Sequence, residues 1–318
     1  MTKVKVDISI TLKSVILLKK SPFTPSFSSV KLRRRDGVMY LQHKFSLYMK
    51  VVCSLCFIFI GSFSYSQINL SGKQGLLYIP DARFLNDGSF TFGYNYNPMK
   101  YSLGSPGKNA EQVLFANIVL SPRFDVTVSL LQLIATEQNK VSQGIGDRIL
   151  DFRYLLLKEK KIQPSVAFVM SSPFTIHAFL LTHAVVGTKH IKFNPAINLG
   201  VTLGYGSPYF IYRNEDNTTN SNIFSSFKWQ NKREYHGGRV LYLVGPFGGL
   251  NLKFKNIAGL MAEWDSQHLN VGAYITLWKS WTIQGGLLNK DKVMFGSSVQ
   301  IPLLKSKKRI AKLDKNIY

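Results

Sequence analysis

The clearest pattern in the chain is an alternation of apolar and polar residues between His268 and Trp278. Apolar residues occupy every second position from Leu269 to Leu277, and the positions between them are His268, Asn270, Gly272, Tyr274 and Thr276. Successive side chains on a strand point to opposite faces, so the pattern predicts a strand with one apolar and one mostly polar face. A strand of about eleven residues is long enough to cross a lipid bilayer at a tilt.

The same alternation recurs along the chain from Ser89 to Leu303 and predicts about twelve strands. Short connections are predicted near Pro122, Lys160, Asn194, Asn256 and Ser280. The connections between them are polar and mostly longer, near Gly104, Asn139, Thr175, Asn220, Gln267 and Asp291. Short turns on one rim and longer loops on the other are typical of outer-membrane barrels. The predicted fold class is all-β, an antiparallel transmembrane β-barrel of the outer membrane.

Two other fold classes fit the pattern less well. A soluble β-sandwich or lipocalin-like barrel would turn its apolar face inward and its polar face to water. Here the apolar face is wide and aromatic while the other carries Gly, Asn and Thr, which favours lipid on the outside. A helical membrane protein is disfavoured because no run of eighteen apolar residues follows Phe63. Trp264, Trp278 and Trp281 lie near predicted strand ends, where an interfacial aromatic girdle is expected.

The amino-terminal end predicts export. Residues 49–66 combine a basic start at Lys50 with an apolar core and small residues at the end, which is the pattern of a secretory signal peptide. The apolar core is too short to span a membrane as a helix. Residues 1–48 lie upstream of this signal, and we interpret them as a disordered extension of the gene model, with translation starting at Met49.

Three further segments are assigned from the same reading. Residues 67–88 are too interrupted by Gly and Pro for a strand, and we expect a short plug-like segment in the lumen. Residues 89–304 are assigned to the barrel and 305–318 to a basic tail. The only two cysteines, Cys53 and Cys56, lie inside the signal peptide, so a metal or redox role for them is disfavoured.

The net charge of +23 suggests an anionic partner, but its distribution argues against nucleic acid. Residues 1–66 carry +9 and residues 305–318 carry +5, which leaves +9 for the 238 residues between them. Basic ends around a patterned middle suit lipid headgroups or polysaccharide at least as well as DNA. No zinc-finger or RNA-binding motif accompanies the charge.

The polar faces of the predicted strands gather the ionisable residues where chemistry could occur. They carry Asp147, Asp151, Arg153, Lys253, Glu263, Asp265, His268 and Asn270. Paired carboxylates could act as acid and base in a hydrolase, but a salt-bridged network that braces the barrel wall is favoured. The sequence contains no metal-binding HExxH motif and no GxSxG nucleophile motif. We therefore expect no catalytic residue, no metal and no cofactor. The loop Ser207–Arg239 mixes aromatic, amide and charged residues, as a sugar-binding surface would.

Several short runs resemble those of a known family. They are Gly75–Arg83 followed by Asp87-Gly88, Gly144–Arg148, Thr188–His190 ahead of Leu203–Gly206, and Ala262–Asp265 followed by Asn270–Gly272. In this order they are similar to the YjbH-like family of outer-membrane β-barrels linked to exopolysaccharide or capsule production. The resemblance implies structural or lumen-lining roles for the motif positions Pro80, Ala82, Arg83, Asp147, Arg148, Glu263, Asp265 and Asn270.

The resemblance also implies a function, which is assistance in exopolysaccharide export or surface attachment without catalysis. The implied partners are outer-membrane lipid, polysaccharide and envelope secretion proteins, and no nucleic acid. Two alternatives stay open at this point. One is a porin or substrate-specific channel, and the other is an outer-membrane hydrolase that uses lumen carboxylates.

Overall fold

The structure, a computed structural model, describes residues 67–303 except 138, 142–144, 175–178, 214–226, 235–240 and 256. The predicted extension, signal peptide and basic tail lie outside the described residues. The division of the chain at residues 48, 66, 88 and 304 stays a prediction.

The described part of the chain is almost entirely β-structure. The strands are β1 (Ser89–Asn97), β2 (Glu111–Ser121), β3 (Phe124–Leu133), β4 (Asp147–Leu157), β5 (Ser165–Ser171), β6 (His183–Asn194), β7 (Ile197–Gly206), β8 (Tyr209–Arg213), β9 (Phe227–Asn231), β10 (Gly245–Phe254), β11 (Ala258–Trp264), β12 (Leu269–Leu277), β13 (Trp281–Leu288) and β14 (Lys292–Pro302). One short 3-10 helix, Met99–Tyr101, follows β1. None of the helices among the described residues has the length and apolar character needed to cross a membrane.

Twelve of these strands form one closed antiparallel barrel, which confirms the predicted fold class. Each barrel strand pairs with the next barrel strand along the chain, β7 pairs with β10, and β14 closes the barrel against β1. The closing pair runs from Ser89 opposite Pro302 to Tyr96 opposite Phe295. Strands β8 and β9 lie outside the barrel and form a separate two-stranded sheet. Closure satisfies the backbone groups of every barrel strand, as a lipid environment requires.

The alternation of side chains places mostly apolar residues outside, whereas the inner face carries the buried polar and charged side chains of the wall together with some apolar ones. On β12, Ala273 and Ile275 are exposed, whereas Asn270, Tyr274 and Thr276 are buried. The same order holds on β4, where Tyr154 is exposed and the charged side chain of Arg153 is buried. A soluble sandwich or lipocalin-like barrel would show the opposite order, so the structure excludes that alternative.

The two rims of the barrel differ in the length of their connections. The short-turn rim carries the connections 122–123, 158–164, 195–196, 255–257 and 278–280, and the chain enters β1 and leaves β14 there. The long-loop rim carries the connections 98–110, 134–146, 172–182, 207–244, 265–268 and 289–291. In outer-membrane barrels the short turns face the periplasm and the longer loops face the exterior.

Some strand boundaries differ from those predicted. The alternation predicts a strand over 240–254, but β10 begins only at Gly245, because Leu243 before it has a φ of +49°, which an extended strand does not adopt. The alternation also predicts a strand over about 179–191, and the corresponding strand β6 spans His183–Asn194. The loop predicted over 207–239 contains the β8–β9 hairpin, which the sequence pattern missed.

Candidate functional site

The lumen of the barrel is occupied by the residues that precede β1. Every residue from 67 to 82 is buried, and we call this stretch the lumen segment. Its apolar side chains form one hydrophobic cluster with inward-facing residues of the wall, such as Met261 and Tyr274. The segment folds back on itself, since Leu70 N–H donates to the carbonyl of Leu77 at 2.7 Å and Leu76 N–H donates to that of Ile79 at 2.9 Å.

One carboxylate of the wall binds residues 77–79, which we call the tip of the lumen segment. Glu263 on β11 accepts hydrogen bonds from the backbone N–H groups of Leu77 at 3.0 Å, Tyr78 at 2.7 Å and Ile79 at 3.4 Å. Three consecutive N–H groups that point to one side form a pocket for an anion. Glu263 therefore satisfies backbone donors that would otherwise be buried without a partner.

Glycines in the wall make room for the same tip. A Cβ at Gly272 would lie 2.9 Å from Cδ1 of Leu77, and a Cβ at Gly286 would lie 2.7 Å from it. A Cβ at Gly249 would lie 2.7 Å from Cδ2 of Leu76. Because such separations are too short for real carbon contacts, the segment fits only where β10, β12 and β13 carry no side chain.

One buried ion pair joins the lumen segment to the opposite wall, and a second lies within the wall and reaches the residue that follows the segment. Lys73 Nζ lies 2.5 Å from Asp151 Oδ2 on β4, and both side chains are 1% exposed. Arg153 Nε lies 2.5 Å from Asp125 Oδ2, and its Nη1 donates to the carbonyl of Arg83 at 3.0 Å. Loss of one partner from such a pair would strand a buried charge, at a cost of about 3–5 kcal/mol. The Lys73–Asp151 pair thus holds the segment against β4.

The motif residues at the long-loop end of β11 form a connected group around Glu263. Asn270 Nδ2 donates to Glu263 Oε1 at 3.3 Å and to Asp265 Oδ2 at 2.8 Å. His268 N–H donates to Asp265 Oδ1 at 2.8 Å, and the imidazole meets the ring of Tyr101 edge-on with centroids 5.1 Å apart. The adjoining cavity at the long-loop rim has a volume of about 30 Å³, the share of one water molecule. This group is too tightly filled to receive a sugar.

The other predicted site residues are dispersed. Asp147 is buried on the inner face of β4, whereas Arg148 is exposed on the outer face. Ala82 N–H donates to Thr188 Oγ1 at 2.9 Å, and Pro80 bridges to Gly75 within the lumen segment. Arg83 pairs with Asp81. Lys253 lies at the short-turn end of β10, facing inward. The structure unites Glu263, Asp265, His268 and Asn270, joins Arg153 to the carbonyl of Arg83, and leaves the rest apart.

Two residues that the sequence reasoning missed connect the long loop to the lumen. Lys232 is fully buried after β9 and donates from Nζ to the carbonyls of Leu181 at 2.7 Å and Tyr242 at 3.4 Å. Burial lowers the pKa of Lys232 to about 7. The hydroxyl of Tyr242 donates to the carbonyl of Tyr78 in the lumen segment at 2.7 Å. Lys232 lies outside the alternating runs, so no pattern in the sequence indicated its burial.

The β8–β9 hairpin has one buried and one exposed face. Phe210 is 1% exposed and packs into the hydrophobic cluster of the lumen. On the opposite face Trp229 is 73% exposed and Tyr209 is 51% exposed. Trp229 lies across from Ile211 and Tyr209 lies across from Asn231, so the two exposed rings occupy diagonal positions of one face. We call this surface the aromatic face.

The closed barrel, its apolar exterior and its two unequal rims define the class: a transmembrane β-barrel of the outer-membrane type. Residues 67–317 match the YjbH family, described as exopolysaccharide biosynthesis protein YbjH. The chain belongs to this family and is an exopolysaccharide-associated outer-membrane barrel, as the sequence motifs predicted.

Comparisons with other known proteins concern the architecture alone. A search of curated proteins found no match. The KdgM porin is 10% identical with a TM-score of 0.35, over 66% of this chain and 97% of that chain. The NanC porin is 11% identical with a TM-score of 0.34, over 68% of this chain and 98% of that chain. Wzi of Escherichia coli, titled a carbohydrate-binding β-barrel involved in group 1 capsule assembly, is 11% identical with a TM-score of 0.22, over 60% of this chain and 52% of that chain.

Proposed function

We propose that this protein is a non-enzymatic outer-membrane barrel that binds exopolysaccharide at the cell surface through the aromatic face of the β8–β9 hairpin. The observation that carries the proposal is the exposure of Trp229 and Tyr209 on one face of a hairpin at the long-loop rim. Family membership supplies the class of ligand. The predicted envelope secretion partners stay a prediction.

The aromatic face has the chemistry that a sugar chain needs. The C–H faces of a sugar ring are apolar and can pack on aromatic rings, which contribute large contact area at a low cost in side-chain entropy. The side chain of Asn231, opposite Tyr209, supplies an amide that can donate to and accept from hydroxyl groups. Phe227 and Phe174 extend the apolar surface, with ring centroids 5.7 Å apart.

The filled lumen supports surface binding over conduction. A channel needs a continuous water-filled path, and here the lumen segment occupies the centre of the barrel and bonds to β11, β4 and β6.

The lumen carboxylates are already engaged by groups of the protein, which supports a role without hydrolysis. Glu263 accepts from three N–H groups and Asp151 is paired with Lys73, and both are 1% exposed, so a substrate has no access to them.

The test replaces the two exposed rings. The double variant Trp229→Ala, Tyr209→Ala removes two stacking surfaces of about 1 kcal/mol each, so polysaccharide binding should weaken on the order of tenfold or more. Trp278→Ala is the matched control, because Trp278 is 76% exposed but lies on the short-turn rim. The measurements are retention of polysaccharide on cells and binding of the extracted polymer by the purified barrel in detergent.

Three results would contradict the proposal. The first is unchanged binding in the double variant when its heat-modifiable band shows a folded barrel. The second is an equal loss in the Trp278 control, which would indicate that barrel integrity and not the aromatic face is responsible. The third is steady ion conductance of the unaltered protein in planar bilayers together with no polymer binding, which would favour the channel alternative.

A further inference from the structure

The first residue of the lumen segment, Gln67, already lies inside the barrel. It is 3% exposed. Its side-chain Nε2 donates to Oε1 of Gln284 on β13, and its carbonyl accepts from the N–H of Gly75 at 3.1 Å. Residue 67 therefore meets hydrogen-bonding groups of the wall and of the segment itself, and both of these groups are uncharged amides.

The predicted signal peptide ends directly before this residue. Ser64 and Ser66 place small side chains at the third and the first position before Gln67, which is the spacing typical of a signal-peptide cleavage site. Cleavage there makes Gln67 the first residue of the mature chain, with a free α-amino group. The inference drawn below rests on this predicted cleavage and is independent of the proposed polysaccharide ligand.

A free α-amino group at Gln67 would place a positive charge in the lumen, because such a group is mostly protonated at neutral pH. A buried charge is unfavourable unless an opposite charge pairs with it. The groups that bond to Gln67, the side-chain amide of Gln284 and the N–H of Gly75, carry no charge. An uncharged amino terminus would therefore fit this position better than an ammonium group.

We propose that Gln67 is a modification site and that the mature chain begins with pyroglutamate. The α-amino nitrogen of Gln67 attacks Cδ of its own side chain. A bond forms between the α-nitrogen and Cδ, the bond from Cδ to Nε2 breaks, and Nε2 leaves as ammonia with a proton from the attacking nitrogen. The step is intramolecular and needs no oxidant or second reactant. Its product is a five-membered lactam, and the terminal charge is removed.

The lactam retains the polar groups that this position needs. With the side chain open, Oε1 of Gln67 is buried and has no hydrogen-bond partner within the part of the chain that the structure describes. The lactam has one N–H donor and one carbonyl acceptor, and its N–H can replace Nε2 as the donor to Oε1 of Gln284. Nε2 of Gln284 already donates to Oδ1 of Asn95 at 3.1 Å. Because Nε2 of Gln67 is bonded in the folded barrel, ring closure precedes insertion of the segment into the lumen.

The experiment uses the full-length protein purified from outer membranes and then unfolded. Its amines are methylated before digestion, so that trypsin cuts only after arginine and releases residues 67–83 as one peptide. This peptide should carry no methyl group on its α-nitrogen and should be lighter by one ammonia molecule than its sequence requires. A synthetic peptide of the same sequence with a free terminal glutamine is treated in parallel and reports any ring closure caused by handling.

Gln67→Asn is the matched variant, because it keeps a side-chain amide that is one carbon too short for the five-membered ring. Its first peptide should show a methylated α-nitrogen and no loss of ammonia. A methylated α-nitrogen on Gln67 of the unaltered protein would overturn the inference, since the terminus would then be free. A mature chain that begins at any other residue would overturn it too, because only a terminal glutamine closes this ring. Neither result bears on polymer binding at the aromatic face.

Discussion

Glu263→Gln tests whether the lumen segment is fixed in place by the carboxylate of β11. The substitution keeps the shape of the side chain but replaces one acceptor oxygen by an NH₂ group, which faces backbone N–H groups and cannot accept from them. Two of the three bonds, at 2.7 and 3.0 Å, have good length, and the third, at 3.4 Å, is weak. The variant should therefore loosen the segment while the barrel wall stays closed.

The size of the effect follows from the bond count. A hydrogen bond to a charged group contributes about 1.5–3 kcal/mol, so two good bonds give about 3–6 kcal/mol. Part of this loss is offset because the variant no longer has to bury a charged carboxylate. We therefore expect the stability of the bound lumen segment to fall by the lower end of the range, about 3 kcal/mol. Since every 1.4 kcal/mol is a factor of ten, exchange protection of the amides of residues 77–79 should fall about 100-fold.

The assay is hydrogen exchange of the folded barrel followed by mass spectrometry of peptides that cover the lumen segment. Asp291→Asn is the control, because it makes the same carboxylate-to-amide change at the long-loop rim, where Asp291 pairs with Lys100. Planar-bilayer recordings should show conductance events in Glu263→Gln that are absent from the control. Unchanged protection of residues 77–79 in the variant would refute the reasoning, since the amides would then not depend on this carboxylate.

Two further outcomes are expected. Gly272→Val would drive a side chain into Leu77, so the segment should be expelled or the barrel should fail to close, and a lost or shifted heat-modifiable band on a gel would report it. Glu159→Gln should destabilise the barrel in urea titrations near neutral pH and progressively less below pH 4.5. Burial opposes ionisation of Glu159, but hydrogen bonds from His190 outweigh it and lower the pKa of Glu159 to about 2. The stabilisation is thus full above the ordinary value of 4.5 and is lost as the pH falls through about 2, and a destabilisation independent of pH would contradict it.

The barrel could be predicted from the sequence because two rules act on the same residues. A strand alternates its side chains with a period of two, and lipid demands an apolar face on one side only. Positions such as Leu269 and Asn270 therefore reveal both the strand and its orientation. The difference between the two rims could be predicted from the lengths of the connections, because these are visible as polar stretches between the alternating runs.

The β8–β9 hairpin could not be predicted because both of its faces carry aromatic residues. Tyr209 faces outward and Phe210 faces the lumen cluster, so apolar residues follow each other without alternation. The contacts of the lumen segment were hidden for a different reason. The bond from Tyr78 N–H to Glu263 joins residues 185 positions apart, and no local pattern specifies which wall carboxylate meets which backbone group.

The described residues of the connection 207–244 contact the lumen segment and its surroundings. Tyr242 of the loop donates to the carbonyl of Tyr78, and their rings lie 6.2 Å apart. Lys232, which follows β9, is buried and interacts electrostatically with both members of the Lys73–Asp151 pair. The aromatic face therefore rests on the same packed core that fills the barrel. A packed support of this kind would favour a surface whose rings are already positioned, because less side-chain and loop freedom would be lost when a polymer binds.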